Sequence, residues 1–406
     1  MLLGLAWRNI WRQPRRTLLN LGSIAFAALV MVFLLAFQLG SYATMKENVL
    51  RVFDGFARVQ PAGYSDDPVL RRTLDDPAQL MRRLAGISGI SAVAPRASTY
   101  AILSRNDQSF GAAIVGVDPA REAAISNLHE SVTRGRYLEP GDQDSVVLGV
   151  ALARNLGVDV GDTVTLLGEA RDGTIAADIL TVRGIFSTGT DAIDRQFAEM
   201  PLARFQASFA MGQRVNTLVL GGPTLDGVTG ALKRVREALP SGALEVRSWN
   251  QLQPGLAAAI SLDLHTSLLW YASLIVVVVF IILNTLLMSV LERTREFGVL
   301  LALGMRPGRL GLMIWLELGL LALLGLAAGI ALGGAVALVV GHYGIEMPGA
   351  EAVFAQWGLP GRLYPRLDWV SATAGPGAMA AAILLAGIFP YRRVRRLEPV
   401  SAMRSA

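Results

Sequence analysis

The sequence predicts a membrane α-helical protein with four transmembrane helices plus an α+β extracytoplasmic domain. Hydrophobic residues make up 52% of the 406 residues, and charged residues make up only 17%, below the roughly 25% that is usual in soluble domains. The apolar residues are concentrated in four runs, each long enough for the roughly 20 residues with which a helix crosses a bilayer. Between the first two runs, residues 41–264 alternate short strand and helix patterns.

The four predicted transmembrane helices differ in how clearly the sequence marks them. TM1 covers residues 17–40; a cleaved signal peptide is the alternative, but the apolar run is longer than the roughly 7–15 residues of a signal core. TM2 covers 265–291. TM3 covers 310–341 and is long enough to tilt. TM4 covers 369–389 and is the weakest, because Gly375-Pro376-Gly377 interrupts its start.

The charges beside these helices predict their orientation. The N-terminal amphipathic segment 1–16, the link 292–309 and the tail 390–406 together carry 13 basic and three acidic residues, net +10. The segment 41–264 carries 22 basic and 25 acidic residues. Because basic residues near the ends of spans stay in the cytoplasm, both termini and the link are predicted to be cytoplasmic, whereas 41–264 and the short loop 342–368 are predicted to be periplasmic. Membrane lipid therefore accounts for the positive charge, and no nucleic-acid partner is expected.

The outer segment 41–264 predicts a split ferredoxin-like sheet. Two β-α-β units flank an insertion at about 98–213, which is richer in strands. The predicted elements of the two flanking units are Phe53–Gln60, Pro77–Leu84, Ile90–Ala97, Asn216–Leu220, Leu225–Leu239 and Leu244–Trp249. The predicted elements of the insertion are strands Thr99–Leu103, Ala112–Val117, Ser145–Leu148, Thr163–Leu167 and Ile179–Phe186, the helix Ala151–Leu156 and a hairpin tip at 168–178.

The sequence contains no signature of a catalytic or metal site. It has no cysteine and only three histidines, far apart, so we expect no metal ligand cluster. Carboxylates that lie close in sequence, Asp142 with Asp144 and Asp191 with Asp194, are more typical of solvated turns than of an acid/base dyad. The loop at 187–190 could cradle an anion through its amides, although a plain loop is favoured. We therefore expect no enzyme activity in this chain.

The link after TM2 predicts a short amphipathic helix. Glu292 and Glu296 are four residues apart, and apolar residues from Phe297 follow with helical spacing. Gly304 is typical of a helix end, and Pro307 prevents continuation. Such a helix either anchors the protein at the membrane surface or docks on a cytoplasmic partner.

Polar and small residues inside the predicted spans point to helix contacts. Glu317 interrupts the apolar run of TM3, and a carboxylate there is expected to face the protein interior. A structural hydrogen bond is favoured over proton transfer, with Asn284 of TM2 as one candidate partner. A strip of small residues at steps of four would allow close packing, within the subunit or at a dimer seam. Its glycines are Gly325, Gly329, Gly333 and Gly341.

The link also resembles a stretch typical of the FtsX-like ABC transporter permease family, of the MacB, LolC and LolE type with a MacB-like periplasmic core domain. Leu301 departs from the pattern, because the family usually has Arg there. The matching residues are Glu292, Arg293, Glu296, Phe297, Gly298, Ala302, Leu303 and Gly304. Further resemblances lie at Ala6–Leu19, Ile114–Pro119, Val147–Gly149, Leu156–Asp162 and Pro390–Arg404, so they span nearly the whole chain in the family's order.

The resemblance implies a non-catalytic membrane subunit of a bacterial inner-membrane transporter. The chain lacks a P-loop, so ATP and Mg would be bound by a separate cytoplasmic ABC ATPase subunit. A second permease subunit, identical or homologous, is the other implied partner. The residues implied to couple to the ATPase are Glu292, Arg293, Arg295, Glu296, Phe297, Gly298, Leu303 and Gly304.

Three functions remain open from the sequence. The first is release or export of an amphiphilic cargo such as a lipoprotein. The second is mechanotransmission, in which the chain controls a periplasmic partner such as a wall hydrolase or an efflux adaptor. The third, from another class, is an ATPase-independent membrane receptor.

Overall fold

The computed structural model describes residues 2–240, 242–346, 348–349 and 362–395. These residues form two compact units. The membrane unit contains residues 2–44, 259–346, 348 and 362–395. The sheet unit contains residues 45–240, 242–258 and 349. Each unit has its own core and is considered separately below.

Fourteen helices are defined in the described residues. They are α1 (Leu2–Ile10), α2 (Pro14–Val49), α3 (Pro77–Ala85), α4 (Pro119–Glu122), α5 (Val150–Leu156), α6 (Asp191–Gln196), α7 (Leu202–Ser208), α8 (Leu225–Ala238), α9 (Trp249–Leu252), α10 (Pro254–Glu292), α11 (Thr294–Ala302), α12 (Pro307–Tyr343), α13 (Trp369–Ala386) and α14 (Ile388–Arg395). A π-helical turn, Leu50–Asp54, follows α2, and a 3-10 turn occupies Leu128–Ser131.

Twelve strands are defined in the same residues. They are β1 (Ala57–Pro61), β2 (Ala92–Arg105), β3 (Gln108–Val117), β4 (Val132–Gly135), β5 (Ser145–Gly149), β6 (Thr163–Glu169), β7 (Ile175–Phe186), β8 (Phe197–Pro201), β9 (Thr217–Gly221), β10 (Leu244–Ser248), β11 (Ile345–Glu346) and β12 (Arg362–Leu363). The last two form a small antiparallel ladder in the membrane unit.

Among the described residues, four helices are long and apolar enough to cross a membrane: α2, α10, α12 and α13 with its continuation α14. Each predicted span lies on one of them. Their shared core contains fully buried Ile24 and Met31 of α2, Ile282 of α10, Leu318 of α12 and Met379 of α13. Helix α2 is therefore an integral part of the core that these helices share.

The predicted interruption of TM4 is wrong. Helix α13 begins at Trp369 and runs through Pro376 without a break. Asp368 caps its first turn by accepting a hydrogen bond from the Ser371 amide at 2.7 Å. A proline is tolerated in a membrane helix where neighbouring helices cover the freed backbone groups, and both Gly375 and Pro376 are buried.

The ferredoxin-like part of the sheet unit is confirmed. Its strands lie in the order β10-β1-β9-β2, all neighbours antiparallel. Helices α3 and α8 supply the crossovers and bury Leu80, Leu84, Val228 and Val235 against the sheet. This is the arrangement of two interleaved β-α-β units.

Three strand predictions in the sheet unit are wrong in their bounds. Residues 53–56 are not strand, because the chain forms a π-helical turn to Asp54 and enters β1 only at Ala57. The predicted strands Ile90–Ala97 and Thr99–Leu103 are one continuous strand, β2, which is shared by the ferredoxin-like part and the insertion. The hairpin tip predicted at 168–178 is shorter, because β6 and β7 pair out to Glu169 and Ile175.

The insertion extends the same sheet through β3, β8, β5, β7 and β4, while β6 pairs with β2 and β7. Strand β8 was not expected from the sequence, although all five of its residues are buried. It pairs parallel with β3 and antiparallel with β5. Helices α5 and α7 cover the sheet, and their residues Leu152, Leu156 and Phe205 are buried in the insertion core.

Candidate functional site

Helix α11 is held at one end of the membrane unit by a buried apolar face. Phe297 and Leu301 are four residues apart and therefore lie on the same side of the helix. Phe297 is only 1% exposed. Both side chains belong to a cluster with residues of α10, α12 and α14, namely Val290, Leu310, Met313, Ile314 and Val394. The helix is therefore packed onto three other helices and cannot move without them.

The opposite face of α11 is exposed. Arg295 and Val299 lie on it, and Leu303 follows at the C-terminal end with 79% of its surface exposed. Gly304 has a φ of +94°, which ends the helix and favours glycine. Arg295 has no ion pair within the described part of the chain. This face of α11 therefore combines a cation with exposed aliphatic side chains.

Two arginines before TM1 pair with the glutamates of the link. Both terminal nitrogens of Arg12 donate to the carboxylate of Glu296, at 2.8 and 2.9 Å. Arg16 donates to Glu292 at 2.9 Å and to the Thr285 carbonyl oxygen. These contacts tie the start of α2 to both ends of the turn between α10 and α11.

Sequence reasoning missed the role of Arg12 and Arg16, which it used only for orientation. A signal was present: the two arginines are four residues apart, as are Glu292 and Glu296. Neither pair lies within a single helix, because Arg12 precedes α2 and α11 begins only at Thr294, so the matched spacing alone did not show that the pairs form.

Arg293 joins α11 to the buried carboxylate of α12. Its guanidinium lies 3.3 Å from Glu296 and 3.7 Å from Glu317, and 5.3 Å from the centre of the Phe297 ring. Glu317 lines a polar cavity of about 200 Å³ that also includes Arg16, Asn20 and Ser289. Glu317 therefore faces protein, beside cations from two other elements.

Asn284 is not brought to Glu317. The Asn284 side chain is exposed on α10, whereas Thr285, Leu286 and Ser289 of the same helix line the cavity. The expected pairing is thus wrong in its partner, because the cation Arg293 neutralises a carboxylate better than an amide does.

Glu296 is ionised at neutral pH in this arrangement. Partial burial raises the pKa of its carboxyl, but hydrogen bonds from Arg12 and Arg293 outweigh that effect and leave the pKa below its usual value. The site therefore contains three arginines paired with three carboxylates: Arg12 and Arg293 contact Glu296, Arg293 also contacts Glu317, and Arg16 contacts Glu292.

The glycines of α12 pack against α2 within the same chain. A methyl group on Gly329 would lie 2.5 Å from Ala28 Cβ and 2.6 Å from the Ala25 carbonyl oxygen. Gly325 and Gly333 are equally close to α2, and Gly341 faces the Pro365 carbonyl. Three of the four predicted packing glycines thus allow two helix backbones to approach within one subunit.

The carboxylate pairs of the sheet unit each have structural partners. Two nitrogens of Arg136 donate to Asp142 and hold its pKa at about 2, while Arg204 lies 3.1 Å from Asp144. Asp194 accepts hydrogen bonds from Ser187 and from both the amide and the hydroxyl of Thr188. The Thr188 amide is therefore bound to the protein's own carboxylate, while the Ser187 amide donates to the Ser131 carbonyl and the Thr190 amide to the Thr188 hydroxyl. No group of three or more metal-ligating side chains occurs among the described residues.

The C-terminal motif is only partly described. Helix α14 carries its first residues, including Pro390 and buried Val394. The remainder, from Arg396 to Arg404, lies outside the described residues.

Two family profiles cover most of the chain. Residues 17–235 match the MacB-like periplasmic core domain, and residues 269–399 match the FtsX-like permease C-terminal domain. The first profile ends within α8 and the second begins within α10, and the link with α11 lies in the second.

The relatives of the chain include proteins named LolC and MacB. The chain is 24% identical to the lipoprotein-releasing system transmembrane protein LolC of Neisseria meningitidis over 96% of this chain and 94% of that protein. It is 26% identical to the macrolide export ATP-binding/permease protein MacB of Hyphomonas neptunium, over 99% of this chain but only 60% of that protein. Among solved structures, the periplasmic region of MacB from Actinobacillus actinomycetemcomitans aligns with 52% of this chain and 97% of its own length, at 16% identity and a TM-score of 0.39.

The first profile alone covers more than half of the chain, and the second covers the helices that carry α11. The chain therefore belongs to the FtsX-like permease family with a MacB-like periplasmic core domain and is an ABC-transporter permease of the LolC and MacB type.

Proposed function

We propose that this chain is the non-catalytic membrane subunit that couples a separate cytoplasmic ATPase to the release or export of an amphiphilic cargo, such as a lipoprotein, from the inner membrane. The observation that carries the proposal is the two-sided build of α11. One face is buried against three membrane helices, and the other presents Arg295, Val299 and Leu303 to solvent. The names of the LolC and LolE relatives, which describe lipoprotein-releasing systems, support the class of cargo.

In this proposal both termini and α11 lie in the cytoplasm, and the sheet unit lies in the periplasm. The charge distribution supports this orientation, because the segments 1–16, 292–309 and 390–406 carry the net positive charge. ATP and Mg bind to the partner ATPase, and a second permease subunit completes the transporter.

Movement begins when the ATPases close on ATP and displace α11. The buried side chains Phe297 and Leu301 transmit this displacement to α10, α12 and α14. Ion pairs from Arg12 and Arg16 transmit it to the start of α2. Helices α2 and α10 continue without interruption to Val49 and from Pro254, so they carry the motion across the membrane.

The test is purification of the tagged chain from its native membranes in mild detergent, followed by mass spectrometry. The proposal predicts stoichiometric recovery of a small P-loop ATPase, and a co-purifying lipoprotein would identify the cargo. If no ATPase is recovered, and none binds on co-expression, the coupling proposal is wrong and the ATPase-independent receptor becomes the better explanation.

Variants of α11 locate the docking surface. Arg295→Glu and Leu303→Asp change exposed side chains and should lower ATPase recovery at least tenfold while leaving membrane insertion intact. Arg82→Glu is the matched control, because it reverses an exposed arginine of the sheet unit. If the control lost as much ATPase recovery as the α11 variants, the effect would come from the change of net charge. If ATPase recovery were unchanged in all three variants, docking through α11 would be contradicted.

A second candidate function, control of a periplasmic partner, is favoured by an apolar sheet surface. Neighbouring strands β2, β6 and β7 bring exposed aliphatic and aromatic side chains onto one face through the pairings Ile102–Leu167 and Glu169–Ile175. The exposed members are Tyr100, Ile102, Leu167, Ile175 and Ile179. Exposed patches of this kind mark interaction sites.

Photo-crosslinking from position 175 in living cells separates the two candidates. Capture of a hydrolase or an adaptor supports control of a periplasmic partner. Capture of a lipoprotein, or of nothing while cargo release continues, supports export.

A further inference from the structure

The end of helix α2 is held in the sheet unit through three consecutive carbonyl groups. Such groups have no partner within a helix and must find one elsewhere. The carbonyl of Arg51 accepts from the Asn127 amide at 2.8 Å, and that of Val52 accepts from the Ser126 hydroxyl at 2.9 Å. The carbonyl of Phe53 accepts from the Arg96 guanidinium. The chain therefore leaves α2 through a fully bonded turn rather than through a free linker.

Arg96 is the central residue of this turn. Its guanidinium makes two hydrogen bonds to Glu122, at the end of α4, and the two side chains are 2% and 1% exposed. The same guanidinium lies 4.5 Å from the centre of the Phe53 ring. A cation at a helix C-terminus is also favoured by the helix dipole. Burial of the ion pair fixes the position of Arg96 and so of the turn that it caps.

The start of helix α10 is tied to the same turn. Asp54 accepts a hydrogen bond from Arg58 at 2.9 Å and one from Gln253, which precedes α10, at 2.5 Å. Earlier in each segment, the Lys46 ammonium lies 5.3 Å from the centre of the Trp249 ring. Both chain segments that lead to membrane helices thus meet in one network inside the sheet unit.

We propose that Arg96, Asp54 and Gln253 are positioning residues of a joint, within the sheet unit, that holds the end of α2 and the start of α10 on the sheet. The joint is defined by these three residues with Glu122, Ser126 and the carbonyls of 51–53. Its role rests on the proposed coupling function: a displacement of the membrane helices reaches the sheet unit only if this connection does not yield. The coupling residues near α11 then start the movement, and the joint delivers it.

Hydrogen exchange of the full chain in detergent tests the joint directly. Arg96→Met/Glu122→Met removes both charges together, so that no unpaired charge stays buried, but leaves the Phe53 carbonyl without its donor. We expect exchange of the amides of Gly55 and Asn127 to accelerate at least tenfold, because these amides bond to the Leu50 and Arg51 carbonyls. Arg105→Met/Asp162→Leu is the matched control: it removes another two-bonded arginine–carboxylate pair of the sheet unit and should leave both amides unchanged.

Gln253→Ala provides a second variant that leaves the buried ion pair in place. It should raise exchange at the start of α10 and reduce cargo release in the assembled transporter, while ATP hydrolysis continues. Wild-type exchange at Gly55 and Asn127 in the double variant would overturn the joint. If these amides exchanged faster but cargo release stayed normal, the positioning role of the joint would be overturned. Failure to recover any ATPase would instead contradict the proposed coupling function and leave the exchange result valid.

Discussion

Two arginine–carboxylate systems, one in each unit, differ most in their exposure. Arg12 and Glu296 of the membrane unit have side chains that are 61% and 43% exposed, whereas Arg96 and Glu122 of the sheet unit are almost fully buried. An exposed pair contributes about 0–1 kcal/mol, and either partner can leave without stranding a buried charge. Loss of one partner of a buried pair costs about 3–5 kcal/mol. The exposed pair Arg12–Glu296 can therefore break and re-form at little cost, whereas the buried pair Arg96–Glu122 resists opening.

The largest effect on stability is expected when only one partner of the buried Arg96–Glu122 pair is removed. Arg96→Met leaves the Glu122 carboxylate buried without its cation, so we expect the free energy of unfolding to fall by about 3–5 kcal/mol. Chemical denaturation of the full chain in detergent measures this loss. The double variant Arg96→Met/Glu122→Met should recover most of it. If Arg96→Met were as stable as the wild type, the Arg96–Glu122 pair would contribute no more to stability than an exposed ion pair.

The contact between Gly329 of α12 and helix α2 contributes to the stability of the membrane unit without any charge. Gly329→Ala places a methyl group against Ala28 and the Ala25 carbonyl, and overpacking of this kind costs about 1–3 kcal/mol. Gly319→Ala is the control, because a methyl group there would meet only Leu384 at 3.7 Å. Thermal unfolding in detergent should show a lower midpoint for the first variant alone. Equal midpoints would mean that α2 and α12 are free to separate.

A buried carboxyl beside the joint predicts a pH dependence. Burial raises the pKa of Glu199 from 4.5 to about 8, and the nearby Glu122 carboxylate adds to the effect, although Tyr137 donates a hydrogen bond to Glu199 at 2.5 Å. Between these values the folded chain holds a proton that the unfolded chain has lost. The free energy of unfolding should therefore fall as the pH rises from 4.5 to 8.

Glu199→Gln removes the titrating carboxyl and should therefore remove its contribution to the pH dependence of the free energy of unfolding. We expect the variant to lose less stability than the wild type as the pH rises from 5 to 8. Denaturation at both pH values measures the difference. Parallel pH curves for the two proteins would mean that Glu199 titrates as an exposed carboxyl.

The smallest effect on stability is expected at the exposed pair. Glu296→Arg should change the free energy of unfolding by less than about 1 kcal/mol but should lower ATP-driven cargo release. The swap Arg12→Glu/Glu296→Arg restores attraction between these two side chains. Rescue of release by the swap would assign Glu296 to the tie within this chain. Failure of the swap would show that Glu296 is needed by a group other than Arg12, either Arg293 of this chain or the ATPase.

The sequence predicted most of what depends on local periodicity. The four spans, α11 and the two crossover helices of the sheet unit follow from apolar residues at helical spacing. It missed β8, because Phe197–Pro201 is a short strand whose burial comes from neighbours distant in the chain. It also extended β1 back to Phe53, because Leu50–Asp54 has strand-like composition and is helical only through its carbonyl partners.

The candidate site was predictable in its residues but not in its partners. Glu292, Glu296 and Phe297 follow from the motif, whereas Arg12 and Arg16 come from almost 300 residues away. Asn284 was a reasonable partner for Glu317 by depth in the membrane, but its position on α10 turns it to the outside. The joint around Arg96 had no local signal except a charged residue within a buried strand.

Hydrogen exchange of the permease, purified with its ATPase and compared with and without ATP, tests the central claim most directly. The account predicts that amide exchange in residues 292–304 changes when ATP binds, because α11 and its exposed ion pairs shift. Exchange at Gly55 and Asn127 should stay the same in both states, because the joint moves as a rigid body. Unchanged exchange in 292–304, or opening of the joint on ATP binding, would contradict the account.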